Sequence, residues 1–413
     1  MPDLAKALSI GDLRRLARRR LPRFLFEIIE SGVEDERSLE RNELAFARHR
    51  LLPRYLVDVS RRDQSALLLG RRYAAPFGIA PTGFAGLLRP GAEVAMARAA
   101  AASDIPFVLS GASIAAMETI AAAAPHHAWY HLYPARDASV TQELLRRAEA
   151  AGFETLVLTV DNPVFPKRER DTRNGFKHPM TLSPFMVADA LAHPAWLLEY
   201  LRHGGMPRME NWARFLPEGA SSDDVATFFR SQSPSVQTWR DLDRLRAAWP
   251  GRLILKGIQH PADAALAVQA GVDGIVVSNH GGKSFDPLPS PLETLPGVVR
   301  VVGGRLPVML DSGIRRGSDI VIARCLGASF AFVGRAALYG VVAGGEAGAR
   351  RMIDILRQEV DLSLALIGCP DIAALGPHFL LHPPDPHPWD WNAPDEAGLR
   401  TGVTGSLLKA QPA

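Results

Sequence analysis

Eight short apolar runs, each stopping on or beside a residue that can bond or carry charge, recur along this 413-residue chain and alternate with Ala/Leu/Arg-rich segments. They are PFGIAP (76–81), PFVLSG (106–111), AWYHLY (128–133), TLVLTVD (155–161), RLILKG (252–257), GIVVSNH (274–280), PVMLDSG (307–313) and FAFVGR (330–335). Strand-length runs alternating with helical segments signal β-α units around a parallel sheet. Eight of them predict an α/β fold, a (β/α)8 TIM barrel whose functional groups gather at the C-terminal strand ends. Thr82, Ser110, Tyr133, Asp161, Lys256, His280, Asp311 and Arg335 all lie where a run stops. Any one of these has a plainer account as a polar residue solvating a loop, but eight in step do not.

The barrel is expected over about residues 70–370 of a domain spanning 1–380, with 381–413 as a Pro-rich tail around HPPDPHPWDW (382–391), whose prolines exclude a helix. Residues 9–50 read as a helical lead-in, Ser9 serving as N-cap and Asp12 standing at N3. About 90 residues separate the fourth run from the fifth, far more than a usual βα loop, so an insertion is expected over about 177–245. Within it, MTLSPFMVADALAHPAWLLEYLRHGGM (180–206) is interrupted by Asp189, Glu199 and Arg202 and is too polar to span a bilayer. Phe185, Met186, Trp196, Leu197 and Leu201 form an apolar face there. Two readings stay open, a lid resting on a membrane surface and a lid packed on its own barrel or on another subunit.

A hydrophobic share of 47%, a charged share of 22% and a net charge of +3 describe a globular chain and argue against a nucleic-acid partner. Cys325 and Cys369 are the only cysteines, and the N-terminal MPDLAKALSIGDLRRLARRR has no signal-peptide core, so a reducing, cytoplasmic setting is expected. No metal site is expected.

The sixth run leads into SNHGGKSFD (278–286). A histidine at the mouth of a buried strand is placed to move a proton, because its ordinary pKa near 6.5 serves base and acid alike. Gly281 and Gly282 let the backbone approach a flat ligand. The last two runs lead into DSGIRRGSD (311–319) and FVGRAALYG (332–340), where Gly313, Arg315, Gly334 and Arg335 can cradle a phosphate dianion. The pair of loops points to a phosphorylated cofactor.

Several segments together resemble the FMN-dependent 2-hydroxy acid oxidase and dehydrogenase family: RLPRFLFEIIESGVEDE, RLLPRYLVDVSRR, PFGIAPTGFAGLLRPGAE, LTVDNPVFPKRERDTRNGF, SNHGGKSFD and IGCPDIAALGP. PAWLLEYLRHGGMP is similar to the membrane-facing bacterial mandelate dehydrogenase branch, beside which the lactate dehydrogenases stand. The resemblance implies FMN across the barrel mouth. Pro81, Thr82, Gly83, Ser110, His131 and Thr159 would contact its ring, with Lys256 near the N1/O2 edge. Ser278, Asp311, Ser312, Gly313, Arg315, Gly334 and Arg335 would hold its ribityl chain and phosphate. His280 would be the base, Asp161 would stabilise the resulting imidazolium, Tyr133 would bond the substrate oxygen, and Arg168 would support the charged state. Electrons would pass to flavin N5 and then to a quinone, another acceptor or O2, with Gly83 resembling the dehydrogenase branch. A homo-tetramer, with peripheral contact of segment 180–206 to an inner membrane, is also implied.

The chain departs from the family where the substrate carboxylate is gripped. Lys283 stands in place of an arginine, and Phe26 is read as standing in place of a tyrosine in the N-terminal helix. Lysine lacks the planar fork and phenylalanine any hydroxyl. His131 replaces a glutamine against the flavin. The expected reaction is oxidation of a bulky or aromatic, mandelate-like 2-hydroxy acid to the 2-oxo acid. The alternatives are a hydroxy compound without a simple α-carboxylate, a flavin isomerase without net redox, and a flavoprotein binding subunit that has lost turnover.

Overall fold

The computed structural model describes residues 4–175 and 183–382. The tail expected beyond His382 and the insertion's first residues lie outside the described residues. All eight runs are strands: Phe77–Ile79 (β3), Phe107–Leu109 (β4), Ala128–Leu132 (β5), Thr155–Thr159 (β6), Arg252–Lys256 (β7), Gly274–Val277 (β8), Val308–Leu310 (β9) and Phe330–Val333 (β10). They pair in parallel and close as β10-β3-β4-β5-β6-β7-β8-β9, the expected TIM barrel.

Side chains alternate across a strand, so residues two apart share a face. Ala80, Val108, Trp129, Val157, Ile254, Val276, Met309 and Phe332 form one buried cluster within the barrel. Two residues further along the same strands stand Thr82, Ser110, His131, Thr159, Lys256, Ser278, Asp311 and Gly334. The inward face thus changes from apolar to polar within one strand repeat, at the C-terminal mouth. The opposite end is closed by a short hairpin, Ala66–Leu68 (β1) and Arg71–Tyr73 (β2). Its Ala66, Leu68 and Tyr73 join the inner cluster, with the Tyr73 ring 5.8 Å from that of Phe330. The outward residues of the strands, such as Ile79, Leu132, Leu158 and Leu255, pack in the larger cluster with the helices.

The lead-in forms Ile10–Arg20 (α1), Arg23–Glu30 (α2) and Arg37–Ala47 (α3). The Ser9 side chain accepts from the Asp12 N–H, and the Asp12 carboxylate accepts from the Ser9 N–H, completing the expected capping box. Helix α3 clamps the loop after β8. Asn42 and Asn279 exchange side-chain hydrogen bonds of 2.9 and 2.7 Å while both are essentially unexposed. The Ser38 N–H donates to Asp286 at 2.8 Å, and Arg41 donates to the Leu288 carbonyl.

In the insertion, Pro184–Leu191 and Pro194–Arg202 are helices that each begin with proline, where no N–H is lost from the ladder. The apolar face differs from the expected one. Met186, Trp196 and Tyr200 are buried, the last two stacked at 4.8 Å, whereas Phe185, Val187, Leu191, Leu198 and Leu201 are exposed. The acidic residues decide this. Glu199 pairs with Arg20 and, at 3.1 Å, with Arg89, while Asp189 accepts from the Arg23 N–H at 2.6 Å, so the polar edge turns toward the lead-in helices and Arg89 and draws Trp196 with it. Further on, Trp212 donates from Nε1 to the Gly111 carbonyl at 2.7 Å, packing this part of the insertion on its own barrel. Among the described residues no helix is long and apolar enough to cross a membrane.

Replacing Asn42 with Leu leaves the Asn279 amide buried with half its partners gone, which is expected to cost about 1–3 kcal/mol. Urea unfolding with an unchanged midpoint would contradict this.

Candidate functional site

The loop after β8 places His280 in the left-handed region at φ +59°, followed by Gly281 at +66° and Gly282 at +75°. Few non-glycine residues adopt that conformation. A Cβ on Gly282 would stand 2.8 Å from the Leu39 backbone, so the turn requires glycine there. Ser278 Oγ accepts the His280 N–H at 3.0 Å and anchors the turn. The imidazole Nδ1 lies 3.0 Å from Asp161 Oδ1, and Tyr133 Oη lies 3.1 Å from Nε2. Nδ1–H donating to the carboxylate leaves the Nε2 lone pair for a substrate proton. Asp161 also accepts from Thr159 Oγ1 at 2.8 Å. Gly257 makes this approach possible, since a Cβ there would stand 2.5 Å from the Asp161 Cβ.

Burial opposes the Asp161 charge, but His280 and Lys256 beside it, with hydrogen bonds from His280 and Thr159, hold its carboxyl well below the usual carboxylate range. Lys256 donates to Ser278 Oγ at 2.8 Å and lies 3.1 Å from Asp311. Although burial disfavours its ammonium, Asp311 and Asp161 more than compensate and raise its pKa. His131 is pushed the other way, first by burial and then by Lys256 and His280, so a neutral imidazole faces the barrel mouth.

A cavity of about 560 Å³ opens above these groups. Residues 80–83, Lys256, Asp311–Arg315, Gly334 and Arg335, the last at the start of the helix Arg335–Ile367, line it. His280, Tyr133, Arg168 and Lys283 line it too, as do Val164, Phe165, Met206, Met209 and Phe229. Ser110, His131, Thr159 and Ser278 are buried just beneath. Among the described residues, four polar atoms at the site are buried without a protein partner: His131 Nε2, Asp161 Oδ2, Arg168 Nε and Asp171 Oδ1. A Cβ on Gly83 would stand 3.2 Å from that of Ala112, so this floor is tight, whereas one on Gly334 would meet nothing nearer than 3.8 Å. A flat heterocycle with polar edges, an electron-rich side against Lys256 and a phosphate tail toward the glycine and arginine loops matches this donor set. The residues fit FMN.

One expectation needs correction, and two cations are engaged in a way the sequence did not show. Phe26 does not line the cavity; it is buried in the outer core with the Arg14 guanidinium over its ring. Residues two apart on a helix face nearly opposite ways, and Ile28 is the α2 residue on the cavity wall. Lys283 does line the cavity, but its ammonium donates to the Ile28 carbonyl at 2.7 Å and to Ser31 Oγ at 3.3 Å. Burial, with Arg335 and Arg168 nearby, holds its pKa well below the ordinary lysine value. Arg335 spends its guanidinium on the carbonyls of Ile29, Gly281 and Ser31 at 2.8–2.9 Å. The cause is shared: the last carbonyls of α2 have no helical partners, and these two cations supply them. Arg168, by contrast, lines the cavity with a buried Nε that has no partner. The sequence reading also missed Asn162, whose Nδ2 lies 3.3 and 3.4 Å from the two His280 nitrogens. Its only signal was adjacency to Asp161.

Comparison with known proteins agrees with this geometry. The family model described as FMN-dependent dehydrogenase matches residues 17–382. The (S)-mandelate dehydrogenase of Pseudomonas putida is 41% identical over 372 residues, 90% of this chain and 93% of that protein. The L-lactate dehydrogenase of Caulobacter vibrioides is 40% identical over 373 residues, 90% of this chain and 97% of its own length. The crystal structure of the monotopic membrane protein (S)-mandelate dehydrogenase superposes with a TM-score of 0.87 at 41% identity, covering 91% of this chain and 99% of that one. With a closed barrel, a cavity suited to a flavin and matches over nine-tenths of its length, this chain belongs to the FMN-dependent dehydrogenase family.

Proposed function

We propose that this flavoprotein oxidises a 2-hydroxy acid bearing a large apolar side chain, of the mandelate kind, to the 2-oxo acid. The observation that carries the reading is His280 Nε2 at the wall of an apolar cavity, with Nδ1 on a carboxylate that keeps its charge. FMN supplies the acceptor for the two electrons released as the substrate C–H bond breaks. Pro81, Thr82, Gly83, Ser110, His131, Thr159 and Lys256 would hold its ring, and Ser278, Asp311, Ser312, Gly313, Arg315, Gly334 and Arg335 its ribityl chain and phosphate, largely through main-chain groups. His280 Nε2 takes a proton from the substrate, and the charged Asp161 stabilises the imidazolium. Tyr133 donates its hydroxyl hydrogen bond to the substrate oxygen. Arg168 pairs with the carboxylate, with Lys283 behind it.

Val164, Phe165, Met206, Met209 and Phe229 support a bulky side chain on the substrate. Ile28 on the wall and the engaged ammonium of Lys283 leave a small acid such as lactate with fewer polar contacts. A membrane quinone is the acceptor most compatible with the exposed Phe185, Val187, Leu191, Leu198 and Leu201, which support peripheral contact with a bilayer as in the monotopic relative.

Anaerobic addition of (S)-mandelate is expected to bleach the visible flavin band. His280→Ala should slow that reduction by about 10²–10⁴-fold. Wild-type protein that stays yellow with every 2-hydroxy acid offered would defeat the reading and favour a non-redox role.

Introducing Ile28→Tyr together with Lys283→Arg should raise kcat/KM for lactate about tenfold or more, by restoring a hydroxyl and a fork toward the carboxylate. An unchanged ratio of lactate to mandelate turnover would show that this wall does not set specificity.

In co-sedimentation with anionic vesicles, Phe185→Ser combined with Leu201→Ser should release most of the bound protein. Equal sedimentation of variant and wild type, or no binding by either, would remove the membrane surface from the proposal.

A further inference from the structure

Asn162 lines the cavity directly after Asp161, and its side chain reaches the same imidazole from another direction. Asp161 meets His280 at Nδ1 alone, 3.0 Å away. Asn162 Nδ2 is 3.3 Å from Nδ1 and 3.4 Å from Nε2, almost equidistant from two nitrogens that flank one carbon. An atom at those distances in the ring plane would collide with Cε1, so the amide stands over the ring face. The two contacts therefore restrain different motions. The carboxylate fixes which nitrogen carries the proton but leaves the ring free to tilt about that single bond, and the amide blocks the tilt. Tyr133 adds a third contact at Nε2, 3.1 Å away, but a substrate hydroxyl must compete for that position.

We infer that Asn162 is a positioning residue for the reaction, a side-chain amide that steadies the His280 ring from its face so that Nε2 stays aimed at the substrate hydroxyl once Tyr133 has turned to the substrate. This rests on the base role proposed above for His280. A misdirected base slows proton transfer without weakening substrate binding, because the carboxylate partners Arg168 and Lys283 are untouched. Misplacement of about 1 Å can cost as much as a hundredfold in rate.

The test uses the FMN-loaded enzyme and anaerobic stopped-flow reduction by (S)-mandelate across a range of concentrations. Asn162→Leu keeps the side chain's approximate shape and removes its amide. It is expected to lower the limiting reduction rate about five- to fiftyfold, with the apparent Kd for mandelate changed less than twofold. Asn162→Thr, which keeps an O–H donor at the position, should recover part of that rate. It also serves as the second variant if Asn162→Leu folds poorly, in which case a rate and Kd equal to wild type in Asn162→Thr at pH 7, together with equal rates in Asn162→Ala, would overturn the inference. A wild-type limiting rate in Asn162→Leu, or a loss carried by Kd instead, would overturn it as well. Failure of the underlying reading looks different: the wild-type flavin would not be reduced at all.

Discussion

A closed barrel gives every strand one face that cannot reach solvent, and the site is built from what happens to that face at its last turn of alternation. Below, Val108, Trp129, Val157, Ile254, Val276, Met309 and Phe332 fill the interior. One repeat higher the same face presents Ser110, His131, Thr159, Lys256, Ser278, Asp311 and Gly334. Buried polar groups are costly unless paired, and here they are paired mainly with one another: Lys256 with Ser278 and Asp311, Thr159 with Asp161, Asp161 with His280. The unpaired exceptions, His131 Nε2 and Asp161 Oδ2, lie around the same mouth, where a bound flavin would stand.

The charges of this layer are interdependent. Asp161 keeps its charge because Lys256 and His280 adjoin it, and Lys256 keeps its own because Asp311 and Asp161 do. His131 is held neutral first by burial and then by its neighbours Lys256 and His280. One ammonium thus supports the carboxylate bonded to His280 and gives the barrel mouth a positive edge, which would suit stabilising negative charge on a flavin ring as it is reduced.

The elements outside the barrel act on the site by fixing loops. Helix α3 holds the turn after β8 through Asn42 and Asn279. The end of α2 holds the same turn through Arg335 and Lys283. Two cations that a linear reading assigns to ligand anions are thereby drawn onto main-chain carbonyls. The insertion contributes apolar wall residues such as Met206, Met209 and Phe229 and presents its exposed leucines and phenylalanine on its far side.

The linear chain by itself determined the barrel, the strand ends and the placing of His280, Asp161, Tyr133 and Lys256 at those ends, because strand alternation and strand termination are local properties that composition and spacing express directly. The Ser9 and Asp12 cap was equally local. Only the tertiary structure decided which side of α2 faces the cavity, exchanging Phe26 for Ile28, since helical phase relative to a distant wall is written nowhere in the helix. It likewise decided where Lys283 and Arg335 direct their charge, because unpartnered helix-end carbonyls become their neighbours only after folding. The inward turn of Trp196 depended on Arg20 and Arg89, far away in sequence. Asn162 became part of the site only when two separate strand ends met, for a contact across the barrel mouth leaves no periodic trace along the chain.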